Sequence, residues 1–223
     1  MIMNKKLMAI LAAVTCAAGM TAFGQGYIEF STSGGFVYDD FTTPGTDVKA
    51  PGNVTATFLW AANGSASPLG AGIATTGTTS GGNGDATISG MLTNGWTVAN
   101  NFSTGVEADN VVHASGPTQG GIGYGTFQVT GTSSAGINYE IVVVGWASTE
   151  GANLAAALQS GGPIGWSTAF SYASGASATS PLSQFSAAGV GTPFGVAPVP
   201  EPASLALAGL GGLSMLFLRR RKS

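Results

Sequence analysis

The chain has 223 residues, with 7 Lys and Arg against 10 Asp and Glu, one His and one Cys; only 8% of residues are charged. So few cations exclude nucleic-acid binding, which needs clustered positive charge to neutralise phosphates, and a single Cys excludes a disulfide framework. With 44% hydrophobic residues the chain is apolar enough to fold, which disfavours disorder of the whole.

Met1 to Lys6 carries two cations, Leu7 to Ala18 is an apolar run, and Ala22-Phe23-Gly24 places small residues ahead of Gln25. This is the order of a secretory signal peptide, expected over 1–24 with cleavage between Gly24 and Gln25 by signal peptidase after passage through the general secretion machinery. Cys16 raises a lipoprotein reading, but Thr15 precedes it where such signals want Gly, Ala or Ser.

A single β-rich domain is expected over 25–186. Tyr27 to Phe30 and Gly35 to Tyr38 read as short strands. Val54, Ala56, Phe58 and Trp60 alternate with Thr55, Thr57 and Leu59, the period of a half-buried strand. Asn63-Gly64 marks a turn, and Gly81-Gly82-Asn83-Gly84-Asp85 another, with a weak strand expected at Ala86 to Ile88. Asn94-Gly95 precedes a strand at Trp96 to Val98, and Asn110 to His113 follows. Tyr124 to Val129 alternates again. Tyr139 to Trp146 holds the continuous β-branched run Ile141 to Val144, suited to a strand covered on both faces. The only helix expected is Ala152 to Gln159, ended by Gly161. Ala169 to Tyr172 gives the last strand. Many short strands with glycine-rich turns predict an all-β fold, an antiparallel β-sandwich of jelly-roll or Ig-like type with one short helix. The stretch 187–198 reads as a spacer.

Few residues carry chemistry. His113 sits beside Val111 and Val112 and reads as a strand-end or turn residue; with no other His and no mature Cys, a zinc site would need carboxylates for its other ligands, which is uncommon. Gly165-Trp166-Ser167-Thr168-Ala169 loosely resembles a nucleophile elbow, but lacks the final Gly and any later His. Glu107 and Asp109 project from one face if extended, as a glycosidase acid pair would require, though solvated loop acids explain them as well. Asp39-Asp40 and Asn83-Gly84-Asp85 offer oxygen ligands for Ca²⁺. Trp60, Trp146 and Trp166 are expected in the core and Trp96 exposed, the one aromatic placed to stack on a sugar. No catalytic residue, metal site or cofactor is therefore expected, and the body reads as non-enzymatic.

The last 25 residues are the most informative. Pro200-Glu201-Pro202 precedes a charge-free stretch from Ala203 to Leu218, followed by Arg219, Arg220, Arg221 and Lys222. Sixteen residues make a helix of ~24 Å against a hydrocarbon core of ~30 Å, a marginal transmembrane span. The cation cluster is a cytoplasmic stop, placing the rest of the chain across the membrane. This order resembles the PEP-CTERM sorting signal of exported bacterial proteins, over 199–223 and with Pro200, Glu201 and Pro202 as its motif. The resemblance implies recognition by exosortase, a membrane-embedded cysteine protease-transpeptidase, and hence transient anchoring in the inner membrane before release to the cell surface or extracellular matrix. Without its two ends, 25–198 retains Lys49 alone against nine acids, a net charge of −8. Extracellular polysaccharide is the alternative partner, for a carbohydrate-binding adhesin, and a secreted glycosidase is a third reading.

Overall fold

The computed structural model describes residues 25–38, 49–64, 83–133, 136–162, 164–179, 182–185 and 193–196; the side chains of 83–86 are excepted. The leader, Asp39-Asp40 and the sorting segment lie outside the described residues. In chain order the elements are β1 (Tyr27–Ser31), β2 (Val37–Tyr38), β3 (Val54–Ala62), α1 (Asn83–Thr93), β4 (Thr97–Val98), β5 (Asn110–Val111), β6 (Gly123–Gln128), β7 (Asn138–Ala147), α2 (Leu154–Ser160), β8 (Ile164–Trp166), β9 (Phe170–Ala173) and β10 (Phe194–Gly195).

Strands β3 and β7 form the centre. They pair antiparallel from Val54↔Ala147 to Ala62↔Tyr139. Both are long, alternating or β-branched runs, and both bury the two faces that alternation creates. Strands β4 and β5 pair with the outer side of β3, and β8 and β9 with the outer side of β7, giving a six-stranded sheet among the described residues. A separate antiparallel pair joins β1 to β6.

Residue parity along β3 and β7 divides the interior into two clusters. Ala56, Phe58, Ile141 and Val143 face Ile28, Phe30 and Phe127 of the β1–β6 pair. Phe185 is fully buried in that cluster, with ring centroids 5.6 Å from Phe30, 5.3 Å from Phe58, 5.2 Å from Phe170 and 5.1 Å from Tyr172. On the opposite face Leu59, Ala61, Val142, Val144 and Trp146 pack with Ile88 and Met91 of α1 and Leu154 and Ala157 of α2. Each large apolar side chain buried in this way contributes roughly 1.5–3 kcal/mol.

Four expectations are corrected here. Ala86 to Ile88 is helical: Ile88, Met91 and Leu92 recur at helical spacing and reach the second cluster, so packing outweighs the poor intrinsic propensity of Gly84, Thr87 and Gly90. The described residues thus hold two short helices. Gly95, at φ +90°, ends α1 and turns the chain so that the Trp96 N–H reaches the Met91 carbonyl at 3.1 Å. That turn buries Trp96 to 2% exposure, against its expected exposure. Trp60 is only half-buried, packed edge-to-face on Tyr139 at 5.3 Å near the end of β3. Finally, Phe194, placed by the sequence in a spacer, is fully buried, and β10 pairs parallel with β2.

Candidate functional site

The two carboxylates singled out by spacing are brought together beside the start of α2. Ala108 lies between them and is fully buried, its N–H bonded to the Ala99 carbonyl at 2.8 Å and its carbonyl accepting from Thr57 Oγ1 at 2.9 Å. Pinning Ala108 inward forces Glu107 and Asp109 to the other side, as extended geometry requires. Glu107 is half-buried, and its carboxyl accepts the Leu154 N–H at 3.1 Å (Oε1) and 3.3 Å (Oε2). It satisfies one of the amides that the first turn of α2 leaves unpaired, while the Asn153 side chain accepts from the Ala156 N–H at 2.9 Å.

Burial pushes the Glu107 carboxyl up to about 7; the Leu154 N–H opposes the rise and the charge of Asp109 adds to it. Asp109 is raised as well, by burial, against its own backbone N–H. Asp109 opens onto a shallow cavity of about 550 Å³ lined by Thr55, Asn110, Val111, Ser148, Gly151 and Ala152. Thr55 Oγ1 and Ser148 Oγ share a hydrogen bond of 2.9 Å on its wall. The arrangement can exchange a proton near neutrality beside a small polar cleft. Glu107 is committed to the helix and does not line the cleft, which leaves Asp109 as its one carboxylate among the described residues.

The other candidates are placed apart. His113 is exposed just past β5, its backbone bonded to Gly120 and Gly121. Ser167 is fully buried; its Oγ accepts the Val143 N–H at 3.0 Å and donates to the Thr168 carbonyl at 3.0 Å, so the hydroxyl extends the β7–β8 ladder and has no exposed nucleophilic face. Asn83, Gly84 and Asp85 start α1 and do not form the expected turn. Among the described residues no group of three or more His, Cys, Asp or Glu is placed to hold a metal. Trp96, Trp146 and Trp166 are all buried, and Trp146 Nε1 donates to the Gly151 carbonyl at 2.8 Å. No helix among the described residues is long and apolar enough to cross a membrane, and the 203–218 segment lies outside them.

The feature that sequence reasoning missed is at the end of the described chain. Phe194 and Gly195 pair with Val37 and Tyr38, with the Phe194 N–H on the Phe36 carbonyl and the Val196 N–H on the Tyr38 carbonyl, both at 3.0 Å. The Phe194 ring stands edge-on to Phe36 at 5.9 Å. The available signal was one large aromatic in the stretch 187–198, otherwise made of Ala, Gly, Val, Pro and Thr.

Residues 198–222 match the family model of the PEP-CTERM protein-sorting motif. Such signals are recognised by exosortase, so this end of the chain marks an exported, surface-directed protein. No curated protein and no solved structure matches the chain.

Proposed function

We propose that the protein is a non-enzymatic component of the cell surface or extracellular matrix, delivered by its two ends. Signal peptidase removes 1–24, the 203–218 helix holds the chain in the inner membrane with Arg219 to Lys222 in the cytoplasm, and an exosortase-type transpeptidase then processes the region of Pro200-Glu201-Pro202. The observation that carries this reading is the sorting motif at 198–222, directly after a folded β-rich body. We read that body, with the β1–β6 pair packed on one face of the six-stranded sheet, as a β-sandwich carrying helices on its outer face. The test is the mass of the mature protein in cells that hold the sorting enzyme, for wild type and for a variant with Pro200, Glu201 and Pro202 replaced by Ala. Loss of Arg219 to Lys222 in wild type and their retention in the variant are expected; retention in both overturns the processing step.

A second reading has one observation behind it. The Glu107 carboxyl near 7 beside Asp109 has the protonation a secreted glycosidase wants in its general acid. Its engagement with Leu154 weighs against this, and release of reducing sugar from bacterial polysaccharides by wild type, lost in Glu107→Gln, would restore it. For the adhesin alternative the tryptophans offer little support, since three are buried and Trp60 half so. A glycan-array screen of the secreted body tests what remains of it.

A further inference from the structure

Strand β10 ends where the sorting motif begins. Val196 is 5% exposed and bonded to β2, and Ala197 alone separates it from Pro198, the first residue of the motif. From Val196 to Pro200 the chain reaches at most about 14 Å, four residues at full extension. The seat of β10 is built into the sheet. Gly145 and Gly165 are partners across β7 and β8. A Cβ on Gly145 would stand 3.1 Å from the Phe194 ring, and one on Gly165 would run into the Gly195 carbonyl, so this glycine pair is the floor on which β10 lies. Before β10, the described residue anchored in the core is Phe185, fully buried and bonded through its N–H to the Ser31 carbonyl at 2.9 Å. With β10 lifted from its seat, the limit that chain length sets on the reach from Phe185 to Pro200 rises to roughly 50 Å.

We infer that β10 is a releasable strap on the sorting signal: seated, it limits the chain up to Pro200 to about 14 Å of reach from the folded body, too short for a membrane-embedded active site to engage; released, it lets the signal be processed. The inference rests on the exosortase reading above. A protease needs extended substrate on the amino-terminal side of its motif, and on that side Phe194 to Val196 are bonded to β2 and lie over Gly165 of β8. The strap is also short enough to open locally, being two residues of ladder and one ring. Because the motif starts at 198, β10 stays with the body after processing and can reseat.

The test uses the full chain in cells that carry the sorting enzyme, following loss of the C-terminal segment by pulse-chase and mass. Tyr38→Cys with Gly195→Cys joins residues in register across β2 and β10 in a body that has no other Cys. Locking removes the competent state, so processing should slow about tenfold or more and recover with dithiothreitol. Processing at the wild-type rate with the disulfide intact overturns the inference, as does slow processing that persists after reduction. A second variant leaves the core untouched: a flexible Gly/Ser insert of about twelve residues between Val196 and Ala197, long enough to supply the missing reach. It should speed processing roughly threefold or more, and an unchanged rate overturns the inference independently. If wild type itself is never processed, the exosortase reading fails; if wild type is processed and both variants are indifferent, only the strap does.

Discussion

Glu107 illustrates how a single side chain can set a pH response. Its folded-state carboxyl titrates near 7, above the ordinary value of 4.5, because burial disfavours its charge more than the Leu154 N–H favours it. The unfolded chain therefore ionises Glu107 first, and stability falls as pH rises from about 4.5 through about 7. Asp109, also raised, adds in the same direction. Solvent screens this half-buried group, so the loss from Glu107 is on the order of 1–2 kcal/mol. Glu107→Gln keeps an oxygen for the Leu154 N–H and removes the charge. Thermal unfolding of the mature protein at pH 8 should show the variant more stable than wild type, with most of that gain gone at pH 5; equal pH slopes would refute the account. Tyr172 is the counter-example, a titratable group too high to matter in this range. Burial raises its phenol to about 12, and its OH accepts the Glu29 N–H at 3.2 Å while donating to the Ser183 carbonyl at 2.9 Å. Tyr172→Phe should cost about 0.5–1.5 kcal/mol in urea unfolding at any pH from 5 to 9, because a part-buried amide and a carbonyl lose their partner.

Elements differ in how far the sequence reveals them, and the reason is where their stabilising contacts come from. Strands β3 and β7 are legible because alternation and the β-branched run Ile141 to Val144 are local patterns that the fold uses directly. Helix α2 is legible for the same reason: Asn153 caps it, three alanines and two leucines fill it, and Gly161 ends it at φ +70°. Asn153→Ala should therefore cost about 1 kcal/mol, read as a lower urea midpoint with unchanged slope. Helix α1 misleads because Gly84, Thr87 and Gly90 speak against a helix, while the contacts that enforce it lie on β8 and the second cluster, distant in sequence. Strand β10 is less legible still. Two residues carry no period, and its partner β2 lies near the other end of the domain. The site was half visible: the spacing of Glu107 and Asp109 put both on one side, but nothing in the sequence announced that Leu154 would claim one of them. Gly165→Ala tests the seat of β10 at element scale. Its methyl would collide with the Gly195 backbone, which cannot turn aside as a side chain would, so a loss of about 1–3 kcal/mol and faster proteolysis near the C-terminus of the body are expected.

At the scale of the molecule, charge and core divide the chain into a disposable end and a durable body. Six of its seven cations lie in the two terminal segments, so the proposed removal of both would turn a chain of net charge −3 into a body of −8 with Lys49 as its one cation. Self-repulsion of that size weakens a compact state, and added salt screens it over a Debye length of about 10 Å at 0.1 M. The durable part extends further than the charge pattern implies, because Phe194 and Val196 belong to the first hydrophobic cluster, which also holds Ile28, Phe58 and Phe185. A body ending at Ala197 keeps that cluster closed. One ending at Thr192 leaves a void over Gly145 and Gly165 and strips β2 of its parallel partner. Loss of a buried Phe alone typically costs about 3–5 kcal/mol, a large share of the ~5–15 kcal/mol that holds a domain of this size together. Bodies secreted with ends at 197 and at 192 should therefore differ sharply in urea unfolding, the longer one matching the naturally processed protein and the shorter one melting early or being degraded. Equal midpoints would mean that β10 adds nothing to the fold, and the boundary between signal and structure would then lie upstream of Pro193.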